Sequence, residues 1–371
     1  MHIGVPKEIK DNEYRVGLIP ASVHELVAHG HEVFVEHDAG RGIGVSDGDY
    51  EQAGAHIAPN GRELFGKVEL IVKVKEPLAQ ERQQLKPGQV LFTYLHLAPD
   101  PEQTRDLVAS GAVCIGYETV TSARGGLPLL APMSQVAGRM SIQAGVYCLE
   151  ETHGGKGILL GGVPGVEPGK VVILGGGMVG ANAAAIALGM GAEVVVLDRS
   201  TEVLNALWQQ FGSRLKTVFS SPHTIEHHLR AADLVIGAVL IPGAAAPKLV
   251  PSELVATMEP GSVIVDVSID QGGCIETSRP TTHTAPTYRV NDIVHYCVAN
   301  MPGGVPRTST FALNNATLPH VLALAEKGYQ GALRDDPHLR NGLNICKGQV
   351  TCKGVAEAHG YPFKDPLRAL L

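Results

Sequence analysis

The chain has 371 residues, 44% of them hydrophobic and 18% charged, with a formal net charge of −7. That length suits two domains of ordinary size, and the acidic balance leaves no basic face for nucleic acid or an anionic membrane. In MHIGVPKEIK charged residues stand where a signal peptide has its apolar core, and no apolar run approaches a membrane span, so a cytoplasmic protein is expected. Six cysteines, Cys114, Cys148, Cys274, Cys297, Cys346 and Cys352, include no CxxC pair and read as reduced thiols. The spacing of Cys346 and Cys352 fits no common zinc pattern, and no metal is expected.

From the N-terminus, short apolar runs alternate with helix-like segments. His2 to Val5 reads as a strand, Ala21 to His29 as a helix, and HEVFVE, His31 to Glu36, alternates as a half-buried strand does. Asp49 to Ala53 reads as a helical turn and Ala55 to Ala58 as a short strand. Glu69 to Lys75, Val90 to Leu95 and Val113 to Tyr117 are further strands, with a helix from Pro101 to Ser110 between the last two. This alternation predicts a parallel sheet covered by helices in about the first 125 residues. From Pro132 to Glu151 the apolar positions Val136, Met140, Ala144 and Cys148 recur every four residues, the pattern of one helix face, and a Gly-rich loop follows from Gly154 to Gly169.

The most informative stretch is Lys170 to Ser200. Val171 to Leu174 is an apolar run that ends in glycines; Gly175, Gly177 and Gly180 then fall at GxGxxG spacing. An Ala-rich helix, Ala181 to Met190, leads to a second apolar run, Glu193 to Leu197, closing on Asp198. In such a unit the first glycine makes the tight turn, the second lets the backbone approach a pyrophosphate, and the third lets helix pack on strand, while the helix N-terminus offers N–H groups to the phosphates. Asp198, about 20 residues on, is placed to accept from ribose hydroxyls and to repel a 2′-phosphate, which predicts NAD rather than NADP.

Beyond Asp198 the pattern continues with a helix (Glu202 to Phe211), a strand (Leu215 to Phe219), a helix (Thr224 to Ala231), a strand (Asp233 to Val239) and a helix (Ser252 to Met258). SVIVDVSID, Ser262 to Asp270, and His295 to Ala299 then complete six strands. Ser309 to Glu326 reads as a long helix, and Asp335 to Leu371 is too short for a third domain, so it is expected to return to the first.

Open α/β sheets bind ligands at the carboxyl ends of their strands. That rule selects Lys75, His96, Asp270 and Asn300, with Arg15 in the loop after the first strand. Arg15 can fork a carboxylate, Lys75 can add a point charge, and His96 can exchange a proton near neutral pH. Asp270 can orient or deprotonate water, or hold an amine or imine. This is the equipment of a dehydrogenase for a small amino or hydroxy acid. The plainer readings are solvated surface cations for Arg15 and Lys75, a hydrogen-bonded core histidine for His96, and a turn residue before Gly272 for Asp270.

The blocks GVPKEIKDNEYRVGLIP (Gly4 to Pro20), VKVKEP, LHLA, PMSQVAGRMSIQ, the GGGMVG turn, VSIDQGG and HYCVANMPGGVPRTST resemble the alanine dehydrogenase and nicotinamide nucleotide transhydrogenase family over nearly the whole chain. The contexts of Lys75, His96 and Asp270 are closer to its alanine dehydrogenase branch. The resemblance implies two Rossmann-like doubly wound domains with a cleft between them, bridged by long helices, with residues 1–127 and 308–371 as the substrate domain and 128–307 as the NAD domain. It implies a homohexamer acting on L-alanine, pyruvate and ammonium. Arg15 and Lys75 would hold the substrate carboxylate, and His96 and Asp270 would be the catalytic groups. Besides the turn residues Gly175, Gly177, Met178, Val179 and Gly180, the NAD contacts implied are Ser134, Asp198, Ser220, Val239 and Leu240. Val267, Ser268, Ile269, Asp270, Arg279, Val298, Ala299, Asn300 and Met301 complete them. Met133 and Met301 are either apolar walls near the nicotinamide or plain core. Val203 stands where relatives offer a polar or basic side chain near the adenosine. The competing readings are a transhydrogenase NAD-binding component, a related amino or hydroxy acid dehydrogenase, and a non-catalytic NAD-binding protein.

Overall fold

A computed structural model describes residues 1–239 and 246–371. The chain divides into two compact units, Met1–Met133 with Val305–Leu371, and Ser134–Gly304. In the first, β1 (His2–Val5), β2 (Glu32–Glu36), β3 (His56–Ala58), β4 (Leu70–Val72), β5 (Val90–Thr93) and β6 (Val113–Gly116) are parallel. β4, β5 and β6 are buried along their whole length, as strands covered on both faces must be, whereas β2 alternates. The helix Pro101–Ser110 is bounded by local chemistry: Asp100 accepts from the Gln103 N–H at 2.9 Å, proline opens the first turn, and Gly111 closes it in the left-handed conformation. The helix Gly61–Lys67, which the sequence pattern did not reveal, is capped by the Asn60 side chain on the Glu63 N–H.

The second unit holds β7 (Lys170–Leu174), β8 (Glu193–Asp198), β9 (Leu215–Phe219), β10 (Leu234–Gly237), β11 (Val263–Asp266), β12 (Thr287–Val290) and β13 (Ile293–Tyr296), in the sheet order β12-β13-β11-β10-β7-β8-β9. Six of these strands are parallel. The seventh, β12, is an addition to the expected six: it pairs antiparallel with β13 through the two-residue turn Asn291-Asp292, both at positive φ (51° and 60°), as a tight hairpin turn requires. Two apolar clusters, one on Ile142, Val171, Ile173, Val194 and Ile236, the other on Val172, Leu174, Val195, Val235 and Ile264, make up its core. Alternate residues of β7 and β8 thus feed opposite faces of the sheet.

The C-terminal segment adds β14 (Leu343–Cys346) and β15 (Gln349–Val350) to the first unit, with β14 antiparallel to β6. The first sheet is therefore ordered β15-β14-β6-β5-β4-β1-β2-β3. Its parallel part, and that of the second sheet, share one plan: strands run outwards in both directions from the first of the set, leaving a switch point beside β1 and beside β7. The helix expected from Ser309 runs from Pro306 to Asp335, because two helical segments join across Gly328 (φ 64°, ψ 161°).

Six strands stop earlier than the apolar runs predict, three of them short of candidate site residues. β4 ends at Val72, β5 at Thr93 and β11 at Asp266, so Lys75, His96 and Asp270 lie beyond the strands that were expected to end on them. The cause is competition for backbone donors. Glu8 accepts the N–H groups of Val74 (2.7 Å) and Lys75 (3.3 Å), Glu118 those of Leu95 (3.2 Å) and His96 (2.7 Å), and Asp266 that of Ser268 (3.1 Å). Side-chain carboxylates take over where a neighbouring strand would otherwise pair.

His295 on β13 is buried, with Nδ1 3.0 Å from the Ile293 carbonyl and Nε2 2.8 Å from Thr277 Oγ1. A carbonyl can only accept, so Nδ1 carries the proton and Nε2 accepts from the hydroxyl. Burial holds this imidazole below its ordinary pKa. The unfolded chain takes a proton near pH 6.5 that the folded one refuses, so the contribution is complete above that pH and is lost as pH falls below it. Urea unfolding at pH 7.5 and 5.5 should show a smaller acid-induced loss of stability in His295→Gln than in the wild type; an equal loss in both would contradict the assignment.

Candidate active site

In the first unit the expected residues emerge around the switch point. Arg15 follows β1, Lys75 follows β4 and His96 follows β5, all at the carboxyl edge of adjacent strands. Arg15 is not a solvated cation: it is 2% exposed, and its Nε and Nη2 lie 2.7 and 2.5 Å from the two carboxylate oxygens of Glu13. Burial works against the guanidinium, but this bidentate pair more than offsets it and raises its pKa. Nη1 lies 3.1 Å from Met133 Sδ, so Met133 braces the arginine. Lys75 is partly buried, with Nζ 4.0 Å from Glu76.

Beneath this edge lies Lys73, fully buried, with Nζ 3.0 Å from Glu8 and 2.7 Å from Glu81. Glu8 is pushed up by burial, against the pull of Lys73. The triad is structural, since Glu8 spends its other oxygen on the amides of Val74 and Lys75 and thereby sets the path of the Lys75 loop.

His96 is exposed, which removes the core-histidine reading, and its backbone is at φ 49°, a left-handed conformation uncommon among non-glycine residues. Two contacts hold it there. The Glu118 carboxylate accepts the amides of Leu95 and His96, and the Tyr94 ring lies stacked on the imidazole, centroids 5.8 Å apart and planes 6° from parallel. Such an outlier costs on the order of 1–3 kcal/mol and persists where surrounding contacts over-determine it.

In the second unit the glycine turn sits at the switch point between β7 and β10. Gly175 is at φ 100°, and a Cβ there would lie 2.7 Å from the Ala238 carbonyl oxygen; a Cβ on Gly180 would lie 1.9 Å from that of Gly175. Around Gly177 nothing lies within 4 Å of a built Cβ, and no side chain caps the helix Met178–Gly189. The turn therefore presents helix N-terminal amides to an open space, which fits a dinucleotide pyrophosphate. Asp198 braces the turn from below, accepting from Gly176 and Ser200 N–H groups, both at 2.7 Å. A carboxylate has about four acceptor sites, so ribose hydroxyls can still be accommodated. A cavity of about 490 Å³ opens beside the turn, lined by Gln135, Arg139, Gly177, Met178, Asn182 and Val203 among others.

The remaining expected positions are distributed as follows. Ser134 lies on the helix Ala131–Leu149, the Ser220 N–H donates to the Asp198 carbonyl, and Val239 follows β10 next to Gly175. Leu240 lies outside the described residues. Val267, Ser268, Ile269 and Asp270 form one 3-10 turn, held by Asp266, whose carboxylate also accepts the amides of Cys274 (3.0 Å) and Ile275 (3.3 Å). Arg279 is exposed, its guanidinium 4.4 Å from the Tyr288 ring centroid. Val298 and Met301 are buried in the core cluster; Ala299 and Asn300 are more accessible, Asn300 at φ 62° with its N–H 3.4 Å from Asp270 Oδ1.

Sequence reasoning missed Glu8, Glu13, Tyr94, Glu118 and Asp266. Lys73 carried the one usable signal: a lysine inside the apolar run ELIVKVK has to find a buried acid. Nothing local marks Glu118, whose partners are more than twenty positions away.

Two family models match the chain, Alanine dehydrogenase/PNT, N-terminal domain, over residues 4–137, and Alanine dehydrogenase/PNT, C-terminal domain, over residues 141–353. The chain belongs to the alanine dehydrogenase/PNT family. An alanine dehydrogenase of Halomonas elongata is 58% identical, over 98% of either chain, and one of Mycobacterium tuberculosis is 51% identical, over 100% of either. A solved L-alanine dehydrogenase matches with a TM-score of 0.94 at 53% identity, covering 97% of this chain and 99% of that one. A transhydrogenase from Sinorhizobium meliloti shares the fold, with a TM-score of 0.81 at 24% identity, covering 95% of this chain and 99% of that one.

Glu118→Ala leaves two loop amides without their charged acceptor. It should lower the unfolding free energy by roughly 1–3 kcal/mol, with Glu118→Gln between it and the wild type. Urea unfolding reads this, and an Ala variant as stable as the wild type would show that Glu118 does not hold the His96 loop.

Proposed function

We propose that the protein catalyses the reversible oxidative deamination of L-alanine to pyruvate and ammonium, with NAD as the hydride acceptor. One observation carries the reading: a guanidinium, an ammonium and an exposed imidazole emerge at one sheet edge, in a chain similar over its full length to alanine dehydrogenases.

The Arg15 guanidinium, oriented by Glu13, and the Lys75 ammonium hold the substrate carboxylate. The Gly175–Gly180 turn, Asp198 and the segments around Ser220, Asp270 and Asn300 would hold NAD, which when bound would supply the acceptor for the hydride leaving the Cα of alanine in its neutral-amine form. The substrate is then an iminium. Asp270 or His96 removes a proton from the water that adds to its carbon, and the resulting carbinolamine loses ammonia as His96 passes a proton to the leaving nitrogen. The nitrogen departs with the electron pair of the C–N bond, and the hydroxyl proton is released to form the pyruvate carbonyl. Asp198 supports NAD over NADP, because a second carboxylate-facing phosphate would be repelled. The remaining NAD contacts, Ser134, Val239, Leu240, Arg279 and Val298 among them, a homohexameric assembly and a cytoplasmic setting follow the family resemblance. No helix among the described residues is long and apolar enough to cross a membrane.

The test is NADH oxidation by the purified protein, with NADPH as control. Consumption that needs both pyruvate and ammonium and prefers NADH is expected, and His96→Ala should abolish it while retaining NADH binding. Consumption without ammonium would indicate a hydroxy acid dehydrogenase, and binding without consumption a transhydrogenase component or a binding protein.

A further inference from the structure

Asn300 has both sides of its backbone engaged. Its N–H faces Asp270 Oδ1 at 3.4 Å, and its carbonyl accepts from the Gly303 N–H at 2.9 Å and lies 3.2 Å from His283 Nε2. A carbonyl oxygen has no proton to give, so His283 is the donor and Nε2 carries its hydrogen. With φ at 62°, Asn300 occupies the left-handed conformation, which asparagine adopts more readily than most residues and which the hydrogen bonds on both sides keep in place.

His283 is well placed to hold it there. It sits at the tip of a hairpin in which the Ala285 N–H donates to the Thr282 carbonyl at 3.2 Å. The base of that hairpin is stitched to the chain just before Asn300: the Thr281 N–H donates to the Cys297 carbonyl at 2.9 Å, and the Ala299 N–H to the Thr281 carbonyl at 3.2 Å. On its other side the ring packs so closely on Gly304 that a Cβ there would lie 2.7 Å from His283 Cε1. The imidazole is thereby locked between the two ends of the Asn300–Gly304 segment.

We propose that His283 is a positioning residue for the reaction: by holding the Asn300 carbonyl, and with it the backbone conformation at Asn300 that joins the two flanking peptides, it keeps the Asn300 N–H aimed at the Asp270 carboxylate and so fixes the orientation of Asp270. The inference rests on the reading of Asp270 as a catalytic group. A displacement of about 1 Å at a reacting group can cost a factor of 100 in rate, so a small rotation about the Asn300 backbone matters.

The experiment compares His283→Ala and His283→Gln in the full-length protein by steady-state kinetics with NADH, pyruvate and ammonium, and by NADH binding measured by fluorescence. Glutamine retains an N–H donor at nearly the same reach as Nε2. His283→Ala should lose roughly 10- to 100-fold in kcat, more than it loses in NADH affinity and with little change in KM for pyruvate, and His283→Gln should recover most of the loss. Wild-type kcat in the alanine variant overturns the proposal. So does a glutamine variant as slow as alanine, which would assign the effect to ring packing against Gly304. Asp270→Asn separates the two possible failures. Turnover retained in that variant overturns the reading of Asp270 itself, whereas turnover lost there but intact in His283→Ala overturns His283 alone.

Discussion

Carboxylates that accept backbone N–H groups just past the ends of strands are the interaction on which both units depend. Glu8 holds the Val74–Lys75 loop, Glu118 the Leu95–His96 loop, Asp198 the glycine turn and Asp266 the turn that carries Asp270. A parallel sheet leaves its carboxyl edge with amides that no further strand will pair, and an unpaired buried amide costs about 1–3 kcal/mol. Meeting that demand with acids rather than with more strand fixes loop paths firmly while leaving cationic and imidazole side chains at the rim.

The same acids manage charge. Lys73 lies buried between Glu8 and Glu81, and Arg15 is paired edge-on by Glu13. Buried ion pairs of this kind are a poor source of net stability, because desolvation consumes much of the attraction. Their value here is directional: Glu13 holds Nε and Nη2 of Arg15 and so fixes the plane of the guanidinium. Two candidate site positions, His96 and Asn300, sit at positive φ without being glycine. In both cases the residue is held by contacts from separate segments, Glu118 and Tyr94 for the one and His283 for the other.

What was legible in the sequence was local or periodic. The turn Gly175–Gly180 and its two flanking strands are defined within thirty residues, by spacing and by apolar runs, and Asp198 lies where that unit requires it. The helix Pro101–Ser110 was read to the residue because aspartate, proline and glycine mark its ends. The ends of β4, β5 and β11 were overrun because apolar character continues past them, while the acids that stop the pairing sit elsewhere in the chain. The strand β12 was overlooked although Asn291-Asp292 between Val290 and Ile293 is a recognisable turn. Arg15, Lys75, His96 and Asp270 were picked out by their place near strand ends; the residues that hold them, Glu13, Glu8, Glu118 and Asp266, have no local signature.

The most direct test of carboxylate-anchored loops is hydrogen exchange of the ligand-free protein over the segments containing Val74–Lys75, Leu95–His96 and Ser268–Ile275. If the anchors hold, these amides exchange nearly as slowly as the neighbouring strands β4, β5 and β11. Exchange as fast as in the exposed loop around Gly125 would mean that the loops are ordered only when substrate arrives, and the account would be wrong.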